Sequence, residues 1–327
     1  MSELKECDLV MKGGITSGVV YPKLITQLAK SYRFVNIGGT SAGAIAAGFS
    51  AAAEYRRATG GGSSGFDELD KIPCVVGNNL LNLFQPEKQY KHLFKAILKL
   101  IENKQASKFW FFVVNYYWMK RAINDLPNSN FGFCSGSTVS GYKIEGLTNW
   151  LNIWLERCAG RLTISEGLPS VPLTFGMLRT NGIKLRTITT NLSQKSPVTL
   201  PNSGALWMKK ADLEKLFPNN VVAYITSKQE EFSKNLEASY TDIKSNQYLR
   251  MPNGDDMPVL MGVRLSLSFP ILLSAIPFYR NDWSLRLCEE EQKTPKVCWF
   301  SDGGISSNFP IHLFDSLFPK RPTFGIS

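Results

Sequence analysis

Residues 34–43 read Phe-Val-Asn-Ile-Gly-Gly-Thr-Ser-Ala-Gly, and small residues follow them as far as Ala53. The apolar run at 34–37 predicts a short strand, and the alanine-rich segment after it predicts a helix. Between them lies the pattern G-x-S-x-G, with Ser41 at its centre. A serine in a sharp turn from strand to helix is typical of a nucleophile elbow. The alternative interpretation is a plain tight turn.

The glycines of this pattern have a steric role. Gly39 and Gly43 allow the backbones on the two sides of the turn to pass closely, since neither carries a Cβ atom. Ser41 would then lie at a helix N-terminus, where free N–H groups and the helix dipole favour developing negative charge.

A second glycine-rich loop lies upstream. Asp8–Met11 predicts a first strand, Lys12 to Gly18 a loop containing Gly13 and Gly14, and 19–29 a helix. Strand, helix, strand and helix in succession predict an α/β fold with a parallel sheet covered by helices. The N–H groups of Gly13 and Gly14 are candidate donors to an oxyanion.

A third loop follows the predicted strand 297–300 and reads Ser301-Asp302-Gly303-Gly304. We expect the three loops to meet at the C-terminal edge of one parallel sheet, where such folds place their sites. Gly303 and Gly304 would permit a close approach of Asp302 to Ser41.

A serine nucleophile needs a base, and the sequence offers three candidates. The order Ser41, Asp302, His312 fits a Ser–His–Asp hydrolase. His312 lies in an apolar stretch and His92 on a basic helix, so both are better interpreted as surface or packing residues. Asp302 alone could serve as base if a partly dry site raised its pKa.

Composition narrows the possible partners and the cellular location of the protein. The formal net charge of +10 favours an anionic partner, and we find no nucleic-acid motif. The six cysteines form no C-x-x-C pair, no secretory signal is visible and no segment reads as a membrane span, so we expect a cytoplasmic protein. Segment 87–124 predicts a basic amphipathic helix, either an ordinary surface helix or one that lies on anionic membranes.

Four segments together resemble the patatin-like phospholipase family. They are the glycine loop 12–22, the pattern 39–43, the serine- and proline-containing segment 264–278, and Asp302-Gly-Gly304 followed by Asn308-Phe-Pro310. The resemblance implies a three-layer α/β/α fold with a mainly parallel sheet. It implies one domain over 1–327 with a variable insertion at roughly 60–260. The apolar end at 322–327 reads as a strand, which indicates one domain of a longer protein.

The resemblance also implies an activity. Ser41 would be the nucleophile and Asp302 the base of a Ser–Asp dyad that hydrolyses acyl esters of phospholipids without metal or other cofactor. Gly13, Gly14 and the N–H of Ala42 would hold the oxyanion. We expect a lipid substrate, peripheral contact with an anionic membrane and no nucleic-acid partner. The sequence does not determine the oligomeric state.

Two positions depart from the family pattern. Ile15 stands where the family usually has a third glycine, and Ser17 where it usually has Arg or Lys. Two alternatives to the dyad hydrolase therefore remain open: a Ser–His–Asp carboxylesterase that uses His312, and a non-catalytic membrane-binding protein on a degenerate lipase scaffold.

Overall fold

A computed structural model describes residues 4–14, 17–77, 80–102, 108–162, 167–202, 204, 206–229, 248–252, 254–280 and 296–327. Within these residues the central sheet has nine strands in the order β11-β1-β2-β4-β10-β9-β6-β7, with β5 paired to β4. A separate parallel pair joins β3 to β8. The strands are β1 (Lys5–Met11), β2 (Tyr32–Thr40), β3 (Gly132–Cys134), β4 (Lys184–Asn191), β5 (Ser196–Leu200), β6 (Trp207–Lys209), β7 (Tyr248–Arg250), β8 (Ile271–Leu273), β9 (Ile276–Arg280), β10 (Lys296–Ser301) and β11 (Thr323–Ile326).

Helices flank this sheet, which confirms the predicted α/β class. They are α1 (Ser17–Leu28), α2 (Ala42–Arg56), α3 (Ser64–Val76), α4 (Lys91–Glu102), α5 (Lys108–Asp125), α6 (Leu147–Cys158), α7 (Phe175–Thr180), α8 (Lys210–Leu216), α9 (Asn219–Ser227) and α10 (Val259–Ser266). Helix α2 packs on β1, β2 and β4, and α1, α3, α6 and α10 surround it.

The small side chains of α2 explain its central position. A helix that is buried on all sides must be apolar all round, and short side chains let neighbouring backbones come close. Most of α2 from Gly43 to Glu54 is buried. At Gly48, an added Cβ atom would lie 2.8 Å from the side chain of Val263 on α10. The alanine-rich segment therefore sets the distance between the sheet and the outer helices.

The sheet is mixed, which corrects the expectation of a mainly parallel one. Strands β11, β1, β2 and β4 are parallel, whereas β10, β9, β6 and β7 continue the sheet by antiparallel pairing. Because β10 runs against β4, its last residue pairs inside the sheet, with Ser301 opposite Thr190. Thr40 of β2 lies opposite Ile188 of the same β4. The loops after β2 and β10 therefore reach the same point from opposite directions.

The predicted insertion at roughly 60–260 is not separate from the sheet. It contains β4, which pairs with β2 on one side and with β10 on the other. The span also contributes α3 and α6, which pack against α2. Described residues within 60–260 therefore build part of the core on which the site rests.

The predicted helical segment 87–124 forms two helices, α4 and α5, after a short 3₁₀ turn at Lys88–Tyr90. On α5, Tyr116 and Tyr117 are 66% and 65% exposed. These two aromatic residues are therefore at the surface. None of the described helices combines the length and apolarity needed to cross a bilayer.

Candidate active site

Ser41 occupies a strained turn between β2 and α2. Its backbone has φ 54° and ψ −128°, and residues other than glycine rarely adopt a positive φ. Such conformations persist only where the surroundings enforce them, and they concentrate at functional sites. The geometry matches a strand–turn–helix elbow that presents a serine at the top of a sheet.

The two flanking glycines enforce this turn by close contact. A Cβ atom on Gly39 would lie 2.2 Å from the carbonyl oxygen of Gly43, and one on Gly43 would lie 2.4 Å from that of Met11. Neither gap admits a methyl group, and both obstacles are backbone atoms. Glycine at both positions is therefore a steric requirement of the turn.

Ser266, at the end of α10, holds the elbow from the other side. The Ser41 N–H donates to Ser266 Oγ at 3.0 Å, and Ser266 Oγ donates in turn to the carbonyl oxygen of Ile188 at 2.5 Å. One buried hydroxyl thus joins the elbow to the neighbouring strand β4. Sequence reasoning placed the segment 264–278 near the site but assigned no role to Ser266, since this contact spans 225 residues of chain.

Asp302 lies at the end of β10 and is 4% exposed. Its Oδ1 atom accepts from the Gly304 N–H at 2.7 Å, which caps the short turn that follows. A Cβ atom on Gly303 would lie 2.0 Å from the carbonyl oxygen of Ile188. The absence of a side chain at this glycine lets the Asp302 turn lie directly against β4.

Hydrogen bonds to Ser268 and Thr190 hold the Asp302 backbone. Its N–H donates to the Ser268 carbonyl oxygen at 3.0 Å, and its carbonyl oxygen accepts from Thr190 Oγ1 at 2.8 Å. The preceding residue, Ser301, also donates through its hydroxyl to Ser268 O at 2.8 Å. Ser268 lies two residues after Ser266, so one short segment supports both Ser41 and Asp302.

The Asp302 carboxyl group has the electrostatics of a base. Desolvation by burial raises its pKa above the usual aspartate range, while hydrogen bonding from the Ser41 side chain and from the Gly304 N–H lowers it in part. The Ser41 hydroxyl interacts with the carboxyl group, yet Oδ2 has no well-aligned hydrogen-bond partner among the described residues. Catalytic hydrogen bonds are often long or poorly aligned without substrate. The free Oδ2 is the atom that can accept a proton.

The candidate oxyanion donors are not equivalent. The Gly13 N–H donates to the Asn308 carbonyl oxygen at 2.8 Å, so it is engaged in this arrangement. No described residue accepts from the N–H of Gly14. Ala42 is the first residue of α2, where N–H groups lack intrahelical partners. Among the described residues, Gly14 and Ala42 therefore offer donors without an acceptor, and Gly13 would have to release Asn308 first.

The histidines stand apart from this constellation. His312 is exposed in a 3₁₀ turn at Ile311–Phe314, and in the described part of the chain it bonds through its side chain to neither Ser41 nor Asp302. His92 is exposed on α4 and stacks on Trp118 with 4.7 Å between ring centroids. Ile15 lies outside the described residues, and Ser17 is the first residue of α1.

Buried thiols do not compete with Ser41 as nucleophiles. Burial raises the pKa of Cys7, Cys134 and Cys158 to about 12, so these thiols stay protonated at neutral pH.

Over the described residues, no three His, Cys, Asp or Glu side chains cluster in a way that could hold a metal ion.

Arg264 on α10 is a buried cation that supports the site indirectly. It is 0% exposed and donates to Ser268 Oγ at 2.6 Å and to the carbonyl oxygens of Ser135 and Ser274 at 2.9 and 3.0 Å. Desolvation by burial lowers its pKa to about 10. Through these bonds Arg264 fixes Ser268, whose carbonyl oxygen holds the Asp302 loop.

An apolar cavity of ≈ 190 Å³ is lined in part by Ala42, the residue that follows Ser41. We call it the acyl cavity, and its wall includes one face of α2 together with residues of α3 and α6. Among the lining residues are Ala42, Ile45, Phe49, Leu69, Val76 and Trp150. A wider cleft of ≈ 530 Å³ lies at the start of β4 among Arg179, Lys184 and Arg186, and it contains none of the candidate site residues. Of these two hollows, the acyl cavity is the one lined by a candidate site residue, Ala42.

A family profile and two known proteins match this chain. The profile of the patatin-like phospholipase family matches residues 9–315. The chain is 30% identical to a protein named RpoH suppressor from Rhizobium meliloti (strain 1021), over 99% of this chain and 66% of that protein's length. Among solved structures, VipD from Legionella pneumophila aligns with a TM-score of 0.39 and 14% identity, over 98% of this chain and 49% of that chain.

The family profile covers all the residues that build the site. It begins in β1, before the glycine loop, and ends after Asp302 and Asn308. The elbow serine, the buried aspartate and the glycine loop thus all fall within the matched segment. This chain belongs to the patatin-like phospholipase family.

Proposed function

We propose that this protein is a serine acyl hydrolase that cleaves acyl ester bonds of membrane phospholipids or related acyl lipids. The family is one of lipid acyl hydrolases in general. The observation that carries the proposal is the position of the acyl cavity, whose wall includes Ala42, directly after the strained Ser41. An apolar cavity beside a nucleophile suits a substrate with a hydrocarbon chain next to its reacting carbonyl.

The acylation step uses Ser41 and Asp302 as a dyad. Ser41 Oγ attacks the ester carbonyl carbon while Asp302 Oδ2 takes the hydroxyl proton, and the carbonyl electron pair moves onto oxygen. The tetrahedral intermediate then collapses and expels the alcohol portion of the lipid, which leaves with the proton from Asp302. The acyl group remains on Ser41, with its chain in the acyl cavity.

Backbone donors stabilise the negative charge that forms on the substrate oxygen. In the described part of the chain, the N–H groups of Gly14 and Ala42 are donors near Ser41 without an acceptor, and the dipole of α2 adds a favourable field at Ala42. The Gly13 N–H contributes as a third donor once it leaves Asn308. Removing one such donor from a hydrolase typically costs about 100-fold to 1,000-fold in kcat.

Deacylation repeats the chemistry with water as nucleophile. Asp302 accepts a proton from water, the hydroxyl oxygen attacks the acyl carbon, and Ser41 leaves as the alcohol after receiving that proton. A fatty acid and the free enzyme result. Because Asp302 must be ionised to accept a proton, kcat/KM should rise with pH through its raised pKa.

Direct tests of the dyad use three variants of the full chain. Wild type should hydrolyse a panel of phospholipid vesicles and label with a fluorophosphonate probe. Ser41→Ala should abolish both, and Asp302→Asn should reduce both strongly. His312→Ala should leave both near wild type, whereas a Ser–His–Asp esterase would lose them. Full phospholipid hydrolysis by Ser41→Ala would refute the proposal.

One observation favours the non-catalytic alternative, a membrane-binding protein on a lipase scaffold. The Gly13 N–H is occupied by Asn308, so one expected oxyanion donor is engaged. A protein that used the scaffold only for binding would not react with the fluorophosphonate probe. Labelling of Ser41 in wild type therefore separates the two functions.

We also propose peripheral contact with anionic membranes through a basic-aromatic surface on α4, α5 and the 3₁₀ turn before α4. It comprises Lys88, Lys91, Lys95 and Arg121 around the stacked rings of His92 and Trp118. The exposed Tyr116 and Tyr117 lie on the same helix as Trp118. Cations attract anionic headgroups, and aromatic rings settle at the membrane interface.

Sedimentation with vesicles tests this surface. The double variant Lys91→Glu/Lys95→Glu should lose binding to phosphatidylglycerol vesicles, while wild type binds these better than phosphatidylcholine vesicles. Lys296→Glu/Lys320→Glu makes the same charge change at exposed residues elsewhere. Equal loss of binding in both double variants would show that only net charge matters.

A further inference from the structure

The acyl cavity has one open end and one closed end. At Ala42, beside the half-buried Ser41, the lining residues Val76 and Leu80 are only partly buried. At the other end, Phe49 and Leu69 are 2% and 0% exposed. A hydrocarbon chain attached to Ser41 would therefore enter at Ala42 and extend toward Phe49.

Two antiparallel helices define the depth of the cavity. Gly65, at the start of α3, lies against the end of α2, since its added Cβ would be 2.8 Å from the Ala53 Cα atom. From there α3 runs back along α2, which brings Leu69 toward Phe49 and Val76 toward Ala42. The closed end is thus built from both helices.

The length of the cavity follows from the helix repeat. Ala42, Ile45, Ala46 and Phe49 all line the cavity, at the i, i+3, i+4 and i+7 spacing of one helix face. The rise from Ala42 to Phe49 is about 10.5 Å. An extended chain of tetrahedral carbons advances about 1.25 Å per bond, so about eight to ten carbons fill this distance.

The closing residue is held in place by other aromatic rings. Phe49 packs edge-to-face on Trp150 with 5.9 Å between ring centroids, and Trp150 lies 5.7 Å from Trp154. Trp154 is 4% exposed, so the far side of this stack is buried in the core. Packed interiors yield little to a side chain that lacks space.

We propose that Phe49 is the specificity-determining residue that makes medium acyl chains of about eight to ten carbons the preferred substrates. The inference rests on the proposed hydrolase function, because it assumes that the acyl group of the substrate occupies this cavity. Longer chains meet the Phe49 ring and Leu69, and their excess carbons must bend back toward solvent. Removing the ring joins its volume to the cavity and admits longer chains.

The test compares hydrolysis of p-nitrophenyl esters from four to sixteen carbons. Wild type should have its highest kcat/KM at eight to ten carbons and fall at least about tenfold by sixteen. Phe49→Ala should move the optimum to twelve carbons or more. Phe49→Leu, a milder change for folding, should move it in the same direction by less.

A matched control separates an effect on the depth of the acyl cavity from an effect on the stability of the protein. Phe34→Ala removes another buried phenylalanine, on β2, that does not line the cavity. It should lower the melting temperature in a similar way to Phe49→Ala while keeping the wild-type chain-length optimum. If folded Phe49→Ala and Phe49→Leu both keep the wild-type optimum, or if wild type prefers sixteen carbons, the proposal is overturned.

A binding measurement distinguishes failure of this inference from failure of the proposed function. Saturated fatty acids of six to sixteen carbons compete with a fluorescent fatty acid for Ser41→Ala and for Ser41→Ala/Phe49→Ala. Tightest binding at eight to ten carbons in the first protein and at longer chains in the second supports the length limit even if no ester is hydrolysed. Affinity that rises with chain length equally in both proteins rejects the length limit, whatever the hydrolysis data show.

Discussion

The two reactive residues are held in place by different means. The Ser41 elbow is fixed by steric exclusion. Ser41 has a positive φ, and its flanking glycines have no room for a Cβ atom. Asp302 itself has an ordinary backbone, φ −51° and ψ 133°, and its loop is held mainly by hydrogen bonds to Ser268 and Thr190, although Gly303 also lies too close to β4 to admit a methyl group. A strained turn resists any substitution, whereas a hydrogen-bonded loop tolerates changes that preserve its donors and acceptors. The two regions should therefore respond differently to mutation.

The largest effect on activity alone is expected from Asp302→Asn. The amide oxygen can still accept from the Gly304 N–H, so the loop keeps its structure, but the base is lost. We expect kcat to fall between about 100-fold and 10,000-fold, the usual contribution of a general base. Steady-state kinetics and circular dichroism measure the two properties. Loss of folded structure would show that this loop is as rigid as the elbow.

Gly39→Ala should lower both the activity and the stability of the protein, because it disrupts the elbow. Its methyl group would lie 2.2 Å from the Gly43 carbonyl oxygen, so the backbone must move. We expect about a 100-fold loss of kcat, as a misplaced reacting group produces, and about 1–3 kcal/mol of destabilisation. Thermal unfolding and fluorophosphonate labelling measure these. The matched control is Gly204→Ala, where the nearest atom among the described residues is 3.7 Å away, and it should be neutral.

Ser266→Ala should produce a smaller loss at the elbow. It removes the acceptor for the Ser41 N–H and the donor to the Ile188 carbonyl oxygen, so two backbone groups each lose one hydrogen bond. We expect about a tenfold fall in kcat with KM nearly unchanged, and about 1–3 kcal/mol of destabilisation.

Ser50→Ala provides the comparison for Ser266→Ala. Ser50 is also fully buried and donates to a backbone carbonyl, that of Ala46, at 2.7 Å within α2. It should lower stability without lowering kcat. Equal kcat losses in the two variants would mean that Ser266 acts only through stability.

The smallest effect concerns stability against pH. Burial raises the pKa of Asp302 in the folded protein, so the folded state holds this proton to higher pH than the unfolded state does. The Asp302 contribution is therefore most favourable below the unfolded pKa and is lost as pH rises to the folded pKa. Asp302→Asn lacks this loss and should gain stability relative to wild type over that range. Urea unfolding at several pH values measures the difference, and the opposite slope would contradict a raised pKa.

The sequence was enough to predict those residues and elements that are recognisable from their immediate neighbours in the chain. Ser41 and Asp302 are visible because glycines flank them at short spacing, and β2 and α2 because apolar and small residues run together. The direction of β10 was missed, since the short run at 297–300 is too brief for its pattern to distinguish parallel from antiparallel pairing. The contact of Ser266 with Ser41 and that of Gly13 with Asn308 depend on how distant segments meet, which no local pattern encodes.

The bond from the Gly13 N–H to the Asn308 carbonyl oxygen links two loops of the site. Asn308 follows Asp302 by six residues, so the glycine loop and the Asp302 loop are tied by one amide proton. That proton is shielded from solvent exchange while the bond lasts, and it becomes exchangeable only when the two loops separate. The isotope exchange rate of a single amide would therefore report how often the free protein visits the arrangement in which Gly13 can turn to substrate.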